Sequence, residues 1–380
     1  MLAAGRLING FGAGVCASIA TIYLTEIAPL SLRGLFGIIR GVCLFGGQLC
    51  AQVLGHPSIL GTSTLWPYLF GFGLLPALMQ FVLLPFCPDS PCYLYLDRDS
   101  TKKGTKALKR LRGDLVFEIE LAELKNKQEF DAEANESVSV AGLFKDPFLR
   151  HCILIAVIMN MGTELVGYSA ILFYSTSVFL GSGMGQSAAV TATIGTGILM
   201  LVACIIVATF IDKVGRRIVL LVGYVGMLVV TSAITVFIVL FETFVEKESE
   251  GKGDDEASKK NNPYIWTTYA SAACVYLFLV CYSVGPGIVP SVLASEMFTQ
   301  GSRTAAVCFS IALSALAAFF VTVLFPLASS AIGGYTFLVF VGLQVFYIFY
   351  AYFNVLETKG KESEEIVKDI RTQWERKKKS

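Results

Sequence analysis

Nine apolar segments dominate the sequence, and each is about 20 residues long or longer. A helix needs about 20 mostly apolar residues to cross the hydrocarbon core of a bilayer. A single crossing segment must also satisfy its own backbone hydrogen bonds, which favours helices. The chain is therefore predicted to be an all-α polytopic, integral membrane protein. Its segments lie at roughly 3–26, 35–55, 65–87, 152–180, 187–211, 217–243, 264–293, 305–331 and 334–356.

The polar residues indicate few kinds of chemistry. Charged residues make up only 16% of the chain, and no basic stripe is interleaved with aromatic residues, so we expect no nucleic-acid partner. Neither of the two histidines, His56 and His151, forms with a Ser, Cys or acid a pattern that suggests a nucleophile with its base. The ten cysteines show no metal-binding spacing. We therefore expect no catalytic residue, no metal site and no cofactor, and predict that the chain is not an enzyme.

Loop charges predict the orientation in the membrane. The short loop at 211–217 and the C-terminal tail are basic, whereas 55–64 and 181–187 contain no lysine or arginine. Because basic loops stay on the cytosolic side, the linker 88–150 and the C-terminus are predicted to face the cytosol. Apolar residues in this linker recur at near-helical spacing, which predicts short amphipathic helices.

An internal repeat relates two parts of the chain. Glu26 is followed by Arg33 after seven residues, and Glu296 by Arg303 after seven. A second landmark, "PDSP" or "ETKG", follows the two glutamates after 62 and 61 residues. Two copies of one unit are typical of transporter folds. Four predicted spans precede Glu296 from residue 152, but one precedes Glu26, so about three helices are expected to be absent from the N-terminus.

Eight motifs, in this order, carry a resemblance to a known family. The chain resembles the sugar-porter branch of the major facilitator superfamily, closest to the animal facilitative glucose transporters, beginning at what would be their fourth helix. The motifs are "GRLINGFGAG", "YLTEIAPLSLRG", "LPFCPDSP", "ILFYSTSVF", "DKVGRR", "VGPGIVP", "SEMFTQGSR" and "ETKG".

This resemblance implies a bundle of two six-helix halves around a central site. About nine transmembrane helices are expected here, three from the N-terminal half and six from the C-terminal half. Residues 1–87 would form the second part of the N-terminal half, and 88–150 the cytosolic linker. Residues 151–356 would form the six-helix C-terminal half, and 357–380 a cytosolic tail.

The charged motifs are implied by the resemblance to form an ion-pair network on the cytosolic side. Such a network would hold the two halves together when the site opens outward, and it would break in the inward state. The alternative is that the arginines only obey the positive-inside rule. Cys92 and Leu356 replace an arginine and a proline of the family's motifs. The implied network comprises Glu26, Arg33, Asp212, Arg216, Arg217, Glu296 and Arg303.

A cluster of helix-breaking residues lies inside the seventh apolar segment: Gly285, Pro286, Gly287 and Pro290. Proline removes a backbone donor and kinks a helix. In a membrane bundle such a break usually lines a cavity or acts as a hinge. By resemblance these residues form the internal gate, and the alternative is a kink that is only packed.

The central site departs from the family's pattern. A sugar needs amide and hydroxyl partners in a mostly apolar cavity, and the family supplies them mainly from glutamine, asparagine and tryptophan. Here Gly41, Met200 and Ser283 stand at three such places, and small or acidic residues at most others. The scaffold is similar to the family's while the site has been rebuilt. The resemblance implies substrate contacts at Thr163, Glu164, Ser169, Tyr174, Ser291 and Ser314.

Glu164 is an ionisable residue inside an apolar segment, which is a functional-site hypothesis by default. Three alternatives are open. Glu164 accepts hydrogen bonds from substrate hydroxyls, or it exchanges a proton and couples transport to pH, or it is satisfied internally by Tyr168 or a serine.

The leading functional hypothesis is facilitative transport of a hexose or related polyhydroxy solute by alternating access. One alternative is a non-transporting sugar-porter-like protein, either a sensor or a degenerate relative. Another is a proton-coupled solute symporter that uses Glu164. The expected partners are a small sugar-like solute and the lipid bilayer, with a plasma membrane as the expected location. The sequence indicates no protein partner.

Overall fold

The chain is described by a computed structural model over residues 1–28, 33–96, 101–112, 140–249, 265–298, 300–359 and 363–379. Within these ranges every regular element is a helix, which confirms the predicted all-α architecture. The segments around Leu115 and Ile119, which the sequence predicts to be helical, lie outside them.

Three predicted spans come before residue 88, and the structure forms them from four helices. Gly73, between the third and fourth helices, keeps helical backbone angles (φ −59°, ψ −18°), so these two continue as one span. A 3₁₀ turn, Leu84–Phe86, extends this span by three residues. The helices are α1 (Leu2–Ile27), α2 (Arg33–Leu54), α3 (Trp66–Phe72) and α4 (Leu74–Leu83).

Three short helices lie in the predicted cytosolic linker. They are α5 (Pro91–Leu96), α6 (Thr101–Arg112) and α7 (Val140–Lys145). Helix α6 is amphipathic, because it buries Leu108 and exposes Lys102. Arg110 Nη2 donates to the carbonyl oxygen of Phe86 at 3.1 Å, which ties α6 to the end of the preceding span.

The predicted span 152–180 is one apolar segment in the sequence but three helices in the structure. Asp146 caps the first helix, because its Oδ1 accepts a hydrogen bond from the Phe148 N–H at 2.8 Å. Pro147 occupies the first helical position, where a missing N–H costs little. The helices are α8 (Pro147–Leu165), α9 (Tyr168–Phe173) and α10 (Ser175–Gly181).

The remaining helices complete the C-terminal part of the bundle. A 3₁₀ turn, Gly333–Tyr335, separates the two helices that come before the C-terminal one. The C-terminal helix buries Ile366 and Ile370, and Trp374 contacts the ring of Phe148 edge-on at 6.1 Å between centroids. The helices are α11 (Gln186–Val214), α12 (Arg216–Ser249), α13 (Ile265–Val284), α14 (Val289–Glu296), α15 (Gln300–Ile332), α16 (Thr336–Asn354) and α17 (Ser363–Lys379).

Seven stretches of the described chain are helical, long and apolar enough to cross a membrane. One of these, Gly301–Asn354, contains both α15 and α16, and the shorter apolar helix Ile39–Leu54 lies within α2. All nine predicted apolar segments are therefore helical, and two of them are interrupted. The fold is a membrane-spanning helical bundle, as predicted.

Most of the buried core lies among α8 to α16. Its largest fully buried side chains include Tyr224, Phe179 and Phe278. By contrast, no residue of the most apolar part of Trp66–Phe86 is buried, and exposed apolar side chains there suit contact with lipid.

Helix α2 connects the N-terminal helices to this core. Gln52 Nε2 donates to Thr196 Oγ1 of α11 at 3.3 Å. At the same level a Cβ on Gly197 would collide with Gln52 Oε1, so glycine permits the close approach of the two helices.

Candidate functional site

The first helix break lies between α8 and α9. Gly167 has φ 98°, a left-handed conformation that glycine adopts without steric cost. A Cβ at this position would lie 2.8 Å from Cγ of Phe340 in α16. Both the backbone angle and the packing therefore require glycine here.

The second break lies between α13 and α14, at the residues predicted to form the gate. Gly287 N donates to the Tyr282 carbonyl at 2.9 Å, and Val289 N to the Gly285 carbonyl at 3.0 Å. Gly285 packs against α12, because its Cβ would lie 2.5 Å from the carbonyl oxygen of Val219. Pro286 and Pro290 are buried, and Pro290 lies in the first turn of α14.

Asn160 joins the two interrupted helices. Its Nδ2 donates to the Ala156 carbonyl within α8 at 2.9 Å and to the Pro290 carbonyl of α14 at 3.3 Å. The side chain is 5% exposed. The sequence analysis missed this residue. An amide in an apolar segment, four residues before Glu164 and thus on the same helix face, could have indicated it.

The structure brings two of the predicted substrate-binding residues together beside Asn160. Thr163 Oγ1 donates to the Asn160 carbonyl at 2.7 Å, and it lies 3.4 Å from Ser314 Oγ of α15. These three residues place hydroxyl and amide groups from α8 and α15 at one level of the bundle. We call Asn160, Thr163 and Ser314 the amide–hydroxyl cluster.

Glu164 and Ser169 form a second pair next to this cluster. The Ser169 hydroxyl donates to Glu164 Oε2 across the α8–α9 break. Of the three alternatives for Glu164, the internal serine partner is the contact present in this structure.

Two other predicted substrate-binding residues donate their hydroxyl groups to backbone carbonyls. Ser291 Oγ donates to the Ile288 carbonyl at 2.9 Å. Tyr174, at the break between α9 and α10, donates its hydroxyl to the Thr322 carbonyl of α15 at 3.0 Å. Tyr174 therefore supports the path of the interrupted helix, and its role toward a solute stays a prediction.

An aromatic pair lies beside the two breaks. The rings of Tyr168 and Tyr282 stack at 3.8 Å between centroids with an interplanar angle of 3°. Since Tyr168 begins α9 and Tyr282 lies near the end of α13, the stack joins both interrupted helices. A Cβ on Gly287 would lie 2.7 Å from the Tyr282 ring, so this glycine also keeps room for the stack.

The predicted cytosolic network is partly assembled in the structure. Arg216 Nη2 lies 3.7 Å from Glu296 Oε1, with side chains 10% and 11% exposed. Arg303 Nη2 donates to the Phe298 carbonyl at 3.2 Å. Glu26 accepts a hydrogen bond from Ser90, whereas the side chains of Arg33 and Asp212 lie outside the described part.

Glu357 is a further acid at this predicted network, which the sequence analysis did not include in it. Its Oε1 accepts from Arg216 N at 2.9 Å and its Oε2 from Arg217 N at 3.1 Å. The carboxylate therefore caps the first turn of α12, where free N–H groups favour a negative charge. The signal was the acid of "ETKG", which directly follows the last span.

Arg217 binds the end of α16 rather than an acidic side chain. Its Nη2 donates to the Tyr352 carbonyl at 2.6 Å, and its guanidinium lies 5.4 Å from the centre of the Tyr352 ring. Arg217 and Glu357 thus attach the start of α12 to the end of the last span.

Known proteins are similar over almost the whole chain. Residues 1–369 match the family model described as "Sugar (and other) transporter". The Gallus gallus protein "Solute carrier family 2, facilitated glucose transporter member 2" is 34% identical over 371 residues, covering 98% of this chain and 65% of the relative. The member 3 protein of Ovis aries is 33% identical over 368 residues, covering 97% and 70%. The chain thus spans about two thirds of these relatives' length.

A solved structure shows the same fold. The proton:xylose symporter XylE, bound to 6-bromo-6-deoxy-D-glucose, superposes with a TM-score of 0.76 at 22% identity, over 95% of this chain and 72% of that chain. This likeness confirms the major-facilitator helical bundle. The named relatives are transporters rather than enzymes, in agreement with the prediction that the chain is not an enzyme.

Proposed function

Because the chain belongs to the sugar transporter family of the major facilitator superfamily, we propose that it carries a hexose or related polyhydroxy solute across a membrane. Transport runs down the solute's gradient and by alternating access. The membrane of residence in this proposal is the plasma membrane.

The observation that carries the proposal is the hydrogen bond from Asn160 to Pro290, at 3.3 Å. It joins the break before α14 to the helix that bears Thr163 and Glu164. A solute that displaces or strengthens this contact changes the path of an interrupted helix. Binding and gating are therefore coupled through one amide, which is what alternating access needs.

The amide–hydroxyl cluster supplies the chemistry for a polyhydroxy solute. Thr163 and Ser314 offer hydroxyl groups that both donate and accept, and Glu164 offers carboxylate oxygens. The same part of the bundle contains buried apolar and aromatic side chains, including the stacked pair Tyr168 and Tyr282. A few polar groups in an otherwise apolar site are typical of small-molecule binding.

The contacts at the predicted cytosolic side hold the C-terminal half together in this proposal. The Arg216–Glu296 contact joins the start of α12 to the end of α14. Glu357 joins the start of α12 to the chain after α16. Both contacts lie between residues 216 and 357, so in this proposal they keep the C-terminal half rigid while the two halves move against each other.

Stereoselective uptake tests the proposal. The full chain, purified and reconstituted in liposomes, is expected to take up labelled D-glucose saturably and L-glucose only at the rate of empty liposomes. Thr163→Val is expected to raise the apparent KM several-fold. Thr235→Val is the matched control, because Thr235 Oγ1 is buried and bonds the carbonyl of Thr231 within its own helix at 2.9 Å. Equal entry of the two enantiomers would contradict transport.

A further inference from the structure

Arg40 is an arginine inside the apolar part of α2. It lies in the apolar helix segment Ile39–Leu54 and follows Arg33 by seven residues. At 1.5 Å per residue its Cα is about 10 Å along the helix from Arg33. Its side chain is half-buried. An arginine within a membrane-spanning segment is costly, and such residues usually mark a solute or ion pathway.

The neighbours of Arg40 belong to the candidate site. At the next residue, a Cβ on Gly41 would lie 3.2 Å from Cys204 Sγ of α11 and 3.5 Å from Ile288 Cδ1 at the α13–α14 break. The backbone of α2 is therefore in close contact with the gate region. The Arg40 guanidinium interacts electrostatically with Tyr282, the residue that stacks on Tyr168.

Tyr282 lies near side chains of both charges. Tyr282 lies within electrostatic range of both Arg40 and Glu164. A cation from α2 and a carboxylate from α8 are therefore both close enough to act on one ring of the tyrosine stack. In the described part of the chain, Glu164 is bonded by Ser169, whereas no hydrogen-bond or ion-pair partner contacts the Arg40 guanidinium.

A guanidinium without a paired acid is costly inside a membrane, and an anion bound next to it reduces that cost. Arginine matches a carboxylate especially well, because two parallel N–H groups contact its two oxygens. One carboxylate neutralises one guanidinium. A phosphate monoester carries about −1.5 to −2 charge at pH 7 and would bring excess negative charge close to Glu164.

We propose that the solute of this site is a sugar acid, a polyhydroxy compound with one carboxylate, and that Arg40 binds the carboxylate. The hydroxyl groups of the solute contact Glu164 and the amide–hydroxyl cluster. The inference rests on the proposed function, since it names the class of solute that the same pathway carries. It makes Arg40 the specificity-determining residue and predicts that the site prefers a sugar acid to a neutral hexose.

Equilibrium binding tests the inference without requiring transport. Labelled D-glucuronate is bound to the purified full chain and displaced with unlabelled D-glucuronate, D-glucose, D-glucose 6-phosphate or acetate. D-glucuronate is expected to compete about 10- to 100-fold better than D-glucose, as for a hydrogen bond to a charged group. D-glucose 6-phosphate and acetate are expected to compete more weakly than D-glucuronate.

Three variants assign the effect to Arg40. Arg40→Gln is expected to lose about 10- to 100-fold in affinity for D-glucuronate and to leave the affinity for D-glucose nearly unchanged. Arg40→Lys keeps the positive charge but not the two parallel N–H donors of the guanidinium. It is expected to retain part of the preference for D-glucuronate over D-glucose. Arg150→Gln removes an equal charge from an exposed position at the start of α8 and serves as the control.

The inference is overturned if D-glucose competes as well as D-glucuronate, or if Arg40→Gln behaves like Arg150→Gln. Equal or better competition by acetate or D-glucose 6-phosphate would also overturn the assignment to sugar acids. Saturable D-glucose uptake without D-glucuronate binding would contradict this inference but would support the transport proposal. Arg40-dependent binding of D-glucuronate without uptake of either compound would support the inference and contradict transport.

Discussion

The Glu357 carboxylate lies against Gly215 so closely that no side chain fits between them. A Cβ on Gly215 would lie 2.6 Å from Glu357 Oε2 and 2.9 Å from its Cδ. Gly215 also has φ 104°, which only glycine adopts without strain. This contact lets one carboxylate reach the first N–H groups of α12, so the joint between α11 and α12 and the end of the last span form one unit.

Gly215→Ala is expected to lower the thermal stability of the detergent-solubilised protein. The left-handed backbone costs about 1–2 kcal/mol with a Cβ, and displacing Glu357 removes its cap as well. Gly14→Ala is the matched control, because no neighbouring atom lies within 4 Å of the added Cβ. If both variants unfold at the same temperature, the Gly215–Glu357 contact does not hold this joint.

Substitutions of Glu357 separate its charge from its hydrogen bonds. Glu357→Gln retains one acceptor oxygen and is expected to cost about 0.3–1 kcal/mol, from loss of charge at a helix N-terminus. Glu357→Ala also removes both acceptors and is expected to cost about 1–2 kcal/mol. Thermal unfolding measures both, with Glu365→Gln as the control, because the Glu365 side chain of α17 is exposed. A Glu357→Ala variant as stable as that control would rule out the cap.

The Arg216–Glu296 contact is expected to show coupling in a double-mutant cycle. Both side chains are largely buried, and residues in contact commonly couple by about 0.5–3 kcal/mol. Arg216→Gln, Glu296→Gln and the double variant are compared by unfolding in detergent. Arg216→Gln combined with Glu365→Gln provides a distant pair, for which additivity is expected. Additive effects at Arg216 and Glu296 would show that the contact contributes nothing.

Ser169→Ala tests the bond to Glu164. The change leaves Glu164 without its serine donor, so a loss of about 1–3 kcal/mol in stability is expected, as for an unsatisfied buried partner. Ser175→Ala is matched in burial and helix position, but Ser175 bonds only the Leu172 carbonyl, at 3.2 Å. Equal unfolding temperatures for the two variants would argue against a stabilising Ser169–Glu164 bond.

The spans could be predicted from the sequence because apolar length alone determines them. All nine apolar segments are helical, and the break at Gly285 and Pro286 was visible from its residue types. The break at Gly167 was not, because a single glycine in an apolar run has the same appearance whether it kinks or continues a helix. Phe340, which is far away in the sequence, packs against Gly167 and leaves no room for a Cβ.

The site was less accessible to sequence analysis than the spans. The resemblance supplied positions such as Thr163 and Ser314, and the structure brings these two within 3.4 Å. Glu357 and Arg40 were missed for different reasons. Glu357 acts on backbone groups 140 and 141 residues earlier in the chain, and spacing does not encode such contacts. Arg40 lies near the start of a span, where arginines commonly only follow the positive-inside rule.

Counterflow measures alternating access most directly. Liposomes containing the purified full chain are loaded with unlabelled D-glucose and diluted into a trace of labelled D-glucose, with D-glucuronate tested in the same way. A carrier that exposes one site to each side in turn is expected to accumulate label transiently above its equilibrium level for at least one of the two. Label that rises only to equilibrium, at a rate independent of preloading for both compounds, would contradict the account.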